Sequence, residues 1–370
     1  MNLRLFFRFL LILTILLPAL TACTPEDLLP LLLDDAGAGG ESTLPQAAPA
    51  QSDSAPPSIT VYFTDTERGS LRGGTDANLA AAIDAAQLSV DIAAYDFDLW
   101  SVRDALINAH RRGVQVRMVT ESNYIENPEV QDLLDAGIEV IGDRIEGLMH
   151  HKFVVIDGQE VWTGSMNLNL NAAYRNNENY LRILSPQLAE NYEQEFEEMF
   201  TEDRFGPNSR YGNTPNPTIE VDGITIENYF APDDRPAARI VELLEGAQES
   251  IVFMAFSFTR DDFAKAMLAR AKAGVTVRGV FESEQVNSNG KNGEYGTLRA
   301  AGLDVHRDGN PRTMHHKVII IDERIVITGS YNFSSSAEER NDENLLIICS
   351  PEIAAQFLQE FERVYAQAEQ

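Results

Sequence analysis

Two short stretches of the chain gather groups suited to chemistry at phosphorus. MHHKFVVIDGQEVWTGSMN (residues 149–167) and MHHKVIIIDERIVITGSYN (residues 314–332) each set two histidines and a lysine before an apolar run. Each then closes on a small polar turn. The chain holds five lysines (Lys152, Lys265, Lys272, Lys291 and Lys317), and four of its six histidines form the pairs His150-His151 and His315-His316. Both stretches fit H-x-K-x4-D-x6-G-S-x-N: His150, Lys152, Asp157, Gly164, Ser165 and Asn167 in one, His315, Lys317, Asp322, Gly329, Ser330 and Asn332 in the other. A glutamate stands 28 residues after each motif histidine, Glu178 in RNNEN and Glu343 in RNDEN.

Histidine and lysine at i and i+2 of a strand point to one face, so each pair converges on a single pocket. Imidazole acts as nucleophile or proton carrier near neutral pH, and a compact ammonium pairs with a phosphoryl oxygen. In a chain of 24 arginines, lysine at both positions indicates that a planar guanidinium would not serve. The Ser165, Asn167, Ser330 and Asn332 side chains can complete a cradle of donors for a phosphate. A buried Glu178 or Glu343 would fix a histidine tautomer and stabilise a cationic ring. One copy offers half a site.

The doubled motif resembles the signature of the phospholipase D superfamily, and the resemblance extends over residues 58–370. It implies an α/β fold of tandem duplicated sandwich halves, related by a pseudo-two-fold axis with one active site at their interface. One histidine attacks phosphorus to give a phosphohistidine; the other protonates the leaving alcohol and then activates water. The family's usual order makes His150 the nucleophile and His315 the acid/base, although internal symmetry makes either role chemically possible. Glu178 and Glu343 match the family's histidine-orienting carboxylates. No cofactor or divalent metal is needed, since two lysines supply the charge. The implied reaction is hydrolysis of a phospholipid to phosphatidate and a head-group alcohol. The alternatives are a metal-independent nuclease of the same superfamily and an inactive lipoprotein that binds an anion.

The remaining motif residues have plainer expectations. His151 and His316 are displaced by one residue and should face the opposite side of the sheet. Asp157 and Asp322 suit hairpin turns and should hold them rather than touch substrate. Arg175 and Arg340 could meet phosphate, but pairing with the chain's many acids is the simpler reading. His110 and His306 read as surface or structural.

The elements that must carry these groups are also duplicated. AAQLSVDIAAYDFDLWSVRDALINAHRRGVQVRMVTES (residues 85–122) parallels GAQESIVFMAFSFTRDDFAKAMLARAKAGVTVRGVFES (residues 246–283) at an offset of 161. The offset is 165 from Ala136-Gly137 and Ala301-Gly302 onward, which puts a four-residue insertion in the second copy, most simply at NSNGKNG. A period this long is domain duplication rather than a solenoid. Strand-like and helical runs alternate, Gly113 and Gly274 end helices, and the near-continuous apolar strands FVVI and VIII predict a sheet covered on both faces. The expected organisation is a first half over 58–203, a linker over 204–218 and a second half over 219–370.

The formal net charge is −28, and removing residues 1–22, which hold Arg4 and Arg8 and no acid, leaves −30. Such a chain repels phosphate backbones at long range and argues against a broad nucleic-acid surface. Residues 1–22 read as an export signal, and Leu20-Thr21-Ala22-Cys23 resembles the bacterial lipoprotein cleavage box. Cys23 would then be acylated and hold the protein at the outer face of the cytoplasmic membrane or in an outer membrane. Residues 23–57, which are rich in Ala, Gly, Ser and Pro from residue 34 onward, read as the lipidated cysteine and a flexible tether. Cys349 in NLLIICS reads as a small buried hydrophobe, not a disulfide partner. With both halves in one chain, a monomer is expected.

Overall fold

The structure, a computed structural model, describes residues 57–144 and 146–368. The export signal, Cys23 and the tether to residue 56 lie outside the described residues. Fifteen strands are described in two sheets. The first holds β1 (Ile59–Phe63), β2 (Ser89–Ala94), β3 (Gln115–Thr120), β4 (Glu139–Gly142), β5 (Lys152–Ile156), β6 (Glu160–Gly164) and β7 (Asn179–Leu184). The second holds β8 (Thr218–Val221), β9 (Ile224–Ala231), β10 (Ser250–Ala255), β11 (Thr276–Phe281), β12 (Asp304–Arg307), β13 (Lys317–Ile321), β14 (Ile325–Gly329) and β15 (Glu343–Cys349).

Strand order in the first sheet is β1-β7-β6-β5-β2-β3-β4, and the second repeats it from β9 to β12, with β8 added at the edge. Both sheets are mixed. β2, β3 and β4 run parallel, joined by helices, while β5, β6 and β7 form an antiparallel meander. The seam between the two modes is β2 against β5, in the register Ala94↔Lys152, and β10 against β13, in the register Ala255↔Lys317. The motif lysines therefore open the two central antiparallel strands.

Side-chain alternation assigns the two faces. Val154, Ile156, Trp162 and Tyr180 pack outward under the crossover helices, whereas Phe153, Val155, Val161 and Leu181 turn inward. In the second half Ile319, Ile321 and Ile327 pack outward, and Val318, Ile320 and Val326 inward. The inward sets of both sheets share one core with the helices Pro186–Phe200 and Pro351–Gln367, through Tyr192, Phe196, Phe357 and Phe361. Each of these helices starts on a Ser-Pro pair: the backbone N–H of Leu188 donates to Ser185 Oγ, that of Ile353 to Ser350 Oγ, and proline fills the first helical position. Two threonine–asparagine bonds cross between the sheets. Thr328 Oγ1 donates to Asn179 Oδ1 (2.9 Å) and Asn344 Nδ2 to Thr163 Oγ1 (2.8 Å).

The insertion lies where the offset changes. The first half follows β3 with one turn, Ser122–Tyr124; the second follows β11 with the helix Ser283–Asn289 and the turn Gly290–Asn292. Asp157 and Asp322 occupy turns between antiparallel strands, with φ of 54° and 51°. Each carboxylate accepts three backbone N–H groups at the start of a strand: Gln87, Leu88 and Ser89 for Asp157, and Gln248, Glu249 and Ser250 for Asp322. These aspartates lock β5 to β2 and β13 to β10 and take no part in the site. Gly164 and Gly329 are required by close approach, because a Cβ would stand 2.4 Å from Asn179 O and 2.3 Å from Asn344 O.

One expectation needs correction. Cys349, at the end of β15, is only partly buried rather than a buried core hydrophobe. Among the described residues, no helix is long and apolar enough to cross a membrane.

Candidate active site

Each motif histidine sits just before its central strand and pairs through its backbone with the other half. His150 N–H donates to Asp342 O (3.0 Å) and Asp342 N–H to Leu148 O (2.9 Å); His315 N–H donates to Asn177 O (3.0 Å) and Asn177 N–H to Thr313 O (2.9 Å). The residue after Asp342 is Glu343, and the residue after Asn177 is Glu178. This pairing crosses the carboxylates between halves. His150 Nδ1 lies 2.7 Å from Glu343 Oε2, and His315 Nδ1 lies 2.8 Å from Glu178 Oε1. Neither half therefore supplies both the motif histidine and the carboxylate that holds it.

Both glutamates are fully buried, and the histidines are 5% and 6% exposed. An Nδ1–H donated to the carboxylate leaves Nε2 with its lone pair, the form a nucleophile needs. The lysine ammoniums are held by the same loops: Lys152 Nζ donates to His150 O (2.7 Å) and Lys317 Nζ to His315 O (2.8 Å). Each lysine and histidine also meets one aromatic ring. Lys152 Nζ lies 5.2 Å from the Tyr95 ring centre and Lys317 Nζ 4.7 Å from that of Phe256. His150 stands edge-on to Tyr95 and His315 to Phe256.

The two pairs match in geometry and differ in charge. Burial drives His150 well below the ordinary histidine value, helped by Lys152, Lys317 and His315. Burial lowers His315 to about 4 against the opposing pull of Glu178. Burial lifts Glu343 to about 7, opposed chiefly by Lys152 and by hydrogen bonds from Ser330 and Asn341. Burial would lift Glu178 too, but His315, Lys317 and Ser165 outweigh it and hold that carboxyl below its usual range. An ionised Glu178 supports positive charge on His315 more strongly than Glu343, which burial makes a weaker acid, supports it on His150, and an ionised Glu343 accepting Nδ1–H is the state that leaves His150 Nε2 free.

Burial also lowers Lys152 to about 8 and Lys317 to about 7, despite the nearby glutamates. A lysine with a depressed value loses its charge as pH rises through that value. We therefore expect kcat/KM for a phosphodiester to fall between pH about 7 and about 8, where the free enzyme loses its ammoniums, rather than near the ordinary lysine value. A pH–rate profile that stays flat to pH about 10 would contradict this.

Several sequence expectations change at the site. Ser165 and Ser330 are fully buried and donate to the glutamates, Ser165 Oγ to Glu178 Oε2 (2.7 Å) and Ser330 Oγ to Glu343 Oε2 (2.6 Å). They hold the carboxylates instead of the substrate, because the turn after β6 and after β14 lies beside the start of β7 and of β15. The amides of Asn167 and Asn332 are left as cradle candidates from those turns: each Oδ1 is buried without a hydrogen-bond partner, and a half-turn of the amide would present Nδ2 there. Arg175 and Arg340 pair with no acid among the described residues. They donate to Asn171 Oδ1 and Ser336 Oγ, one helical turn earlier.

His151 and His316 face the shared core, where Nε2 of each lies 3.0 Å from a carboxylate of an inner helix, Glu195 and Glu360. His306 stands 2.9 Å from Asp304. Sequence reasoning missed Tyr95 and Phe256, although both end an apolar strand at the repeat offset of 161. Among the described residues, no group of three or more His, Cys, Asp or Glu side chains is placed to hold a metal ion.

Comparison with known proteins bears on the same residues. The family described as cardiolipin synthase, PLD-like domain, matches residues 79–200 and 240–365, once in each half. Human mitochondrial cardiolipin hydrolase is 37% identical over 130 residues, which are 35% of this chain and 51% of that protein. A protein named phospholipase D from Rickettsia prowazekii (strain Madrid E) is 34% identical over 140 residues, 38% of this chain and 67% of that protein. The chain thus spans about half the length of the human relative it matches. A phosphatidylserine synthase structure from Haemophilus influenzae Rd KW20 covers 84% of this chain and 87% of its own, at 15% identity and a TM-score of 0.64. That likeness is one of fold.

Proposed function

Because the chain belongs to the phospholipase D superfamily, with a family match in each half, we propose that it is a phosphodiesterase that hydrolyses a phospholipid to phosphatidate and a head-group alcohol. The observation that carries this reading is the crossed pair of histidine–glutamate contacts, which places two imidazoles and two buried lysines at one interface. His150 Nε2 attacks phosphorus as the neutral base. His315, beside the ionised Glu178, delivers a proton to the leaving oxygen and takes one back from water in the second step. Lys152 and Lys317 neutralise the phosphoryl oxygens in a site that excludes most water.

Lipid is favoured over nucleic acid by the charge of −28 and by the names of the relatives, a cardiolipin hydrolase and a phospholipase D. The resemblance of Leu20-Thr21-Ala22-Cys23 to a lipoprotein cleavage box supports the same reading, because an acylated N-terminus and a flexible tether would hold the domain at a bilayer. The purified full-length protein, given zwitterionic and anionic phospholipid vesicles and single- and double-stranded DNA in the presence of chelator, tests the reading. Release of head-group alcohol supports it, as does lipid found on Cys23 in the same preparation. DNA cleavage without lipid turnover would replace it with the nuclease reading, and no turnover of either would leave an anion-binding protein.

A further inference from the structure

The two halves match at the reacting groups and differ beside them. In the first half Tyr95 stands edge-on to His150, with ring centres 4.9 Å apart, and Tyr124 covers Tyr95 at 5.2 Å. In the second half Phe256 takes the place of Tyr95 against His315, at 4.6 Å. The position after Ser283 that corresponds to Tyr124 after Ser122 is held by Gln285. The correspondence is fixed by matching contacts, since the Ser122 and Ser283 N–H groups donate to equivalent carboxylates, Asp143 and Asp308. Here the insertion builds the helix Ser283–Asn289 and its following turn in place of a single turn.

The consequence is a cavity of about 370 Å³ that has Phe256 in its wall. Its lining includes Gln285, Asn289, Glu294, Tyr295 and Arg307. Arg307 is held in place, because its Nη1 donates to Asn287 Oδ1 (2.9 Å) and its guanidinium lies 5.3 Å from the Tyr295 ring centre. Amide and guanidinium donors with one carboxyl acceptor suit a small hydroxylated molecule, and the volume is in the range of small-ligand sites.

We propose that this cavity receives the leaving alcohol, and that its position behind Phe256, the ring against His315, helps to separate the roles of the two histidines. The proposal rests on the displacement at phosphorus described above. In an in-line displacement the nucleophile and the leaving oxygen lie on opposite sides of phosphorus. The His150 side is covered by Tyr95 and, behind it, Tyr124, whereas on the His315 side Phe256 has no such second ring over it and forms part of the cavity wall. The His150 Nε2–P bond forms as the P–O bond to the alcohol breaks, and the His315 proton passes to that oxygen. Water then forms the new P–O bond as N–P breaks, and its proton returns to His315. The ligand class is a polar, hydroxylated alcohol of about the size of glycerol or a little larger.

Gln285→Tyr should rebuild the first half's cover over Phe256 and fill the cavity. The probes are phosphatidyl esters of methanol and of glycerol, and bis(p-nitrophenyl) phosphate, whose nitrophenol must also enter the cavity. The expected result is a fall in kcat/KM of about tenfold or more for the glycerol ester and the aryl diester, with the methyl ester unchanged. Arg307→Ala removes a donor without adding bulk and should lower the glycerol-to-methanol preference, so the idea stays testable if the tyrosine variant folds poorly. Equal changes for glycerol and methyl esters, or no change for any probe, would overturn the proposal. A wild-type protein that cleaves the aryl diester but neither lipid would refute the lipid reading alone, and the cavity would still be judged on the aryl diester.

Discussion

Replacing either His150 or His315 alone by alanine is expected to lower kcat by on the order of 10⁴-fold or more, because each supplies a step the other cannot. The crossed contacts give this expectation its structural basis. His150 takes its carboxylate from the second half and His315 from the first, so damage to either half disables the single site. Glu343→Gln and Glu178→Gln should follow the same logic with smaller losses, about 10²-fold or more, since they remove orientation and charge but leave the imidazoles. Near-unchanged melting curves would show that the variants fold. One histidine variant retaining near-full activity would refute the one-site account.

Much of this site was legible in the sequence because it was written twice. The doubled H-x-K pattern located the imidazoles and ammoniums, and the 28-residue spacing located Glu178 and Glu343. Strand alternation turned His151 and His316 away from the site, where Glu195 and Glu360 receive them. The change of offset from 161 to 165 marked the insertion that builds the cavity beside Phe256.

Other features depend on contacts between distant segments. Spacing within one copy cannot tell whether Glu178 serves His150 or His315; that follows from the backbone pairing of Asn177 with Thr313 and of Asp342 with Leu148. Ser165 and Ser330 looked like phosphate donors because a Gly-Ser turn exposes hydroxyls in general. Here the close approach of β7 to Gly164 and of β15 to Gly329 brings each serine to a buried glutamate instead. Cys349 looked apolar from its neighbours, whereas the end of β15 leaves it half-covered.

The second large effect concerns the proposed covalent intermediate. Burial, with Lys152 and Lys317 beside it, holds His150 well below the ordinary histidine value, and the cavity shares Phe256 with His315. All of the trapped phosphoryl group should therefore be on His150. With an alkyl ester, His315→Ala slows both formation and hydrolysis of the intermediate, so little accumulates. With bis(p-nitrophenyl) phosphate the leaving phenolate needs no proton, formation continues and hydrolysis stalls.

The direct measurement is rapid quench of wild-type, His150→Ala and His315→Ala proteins with that diester labelled on phosphorus, followed by mapping of the acid-labile label. The expected result is label on His150 in the wild type, more of it in His315→Ala, and none in His150→Ala. Label on His315 would reverse the assignment, and steady turnover with no labelled histidine at any time would contradict the covalent mechanism itself.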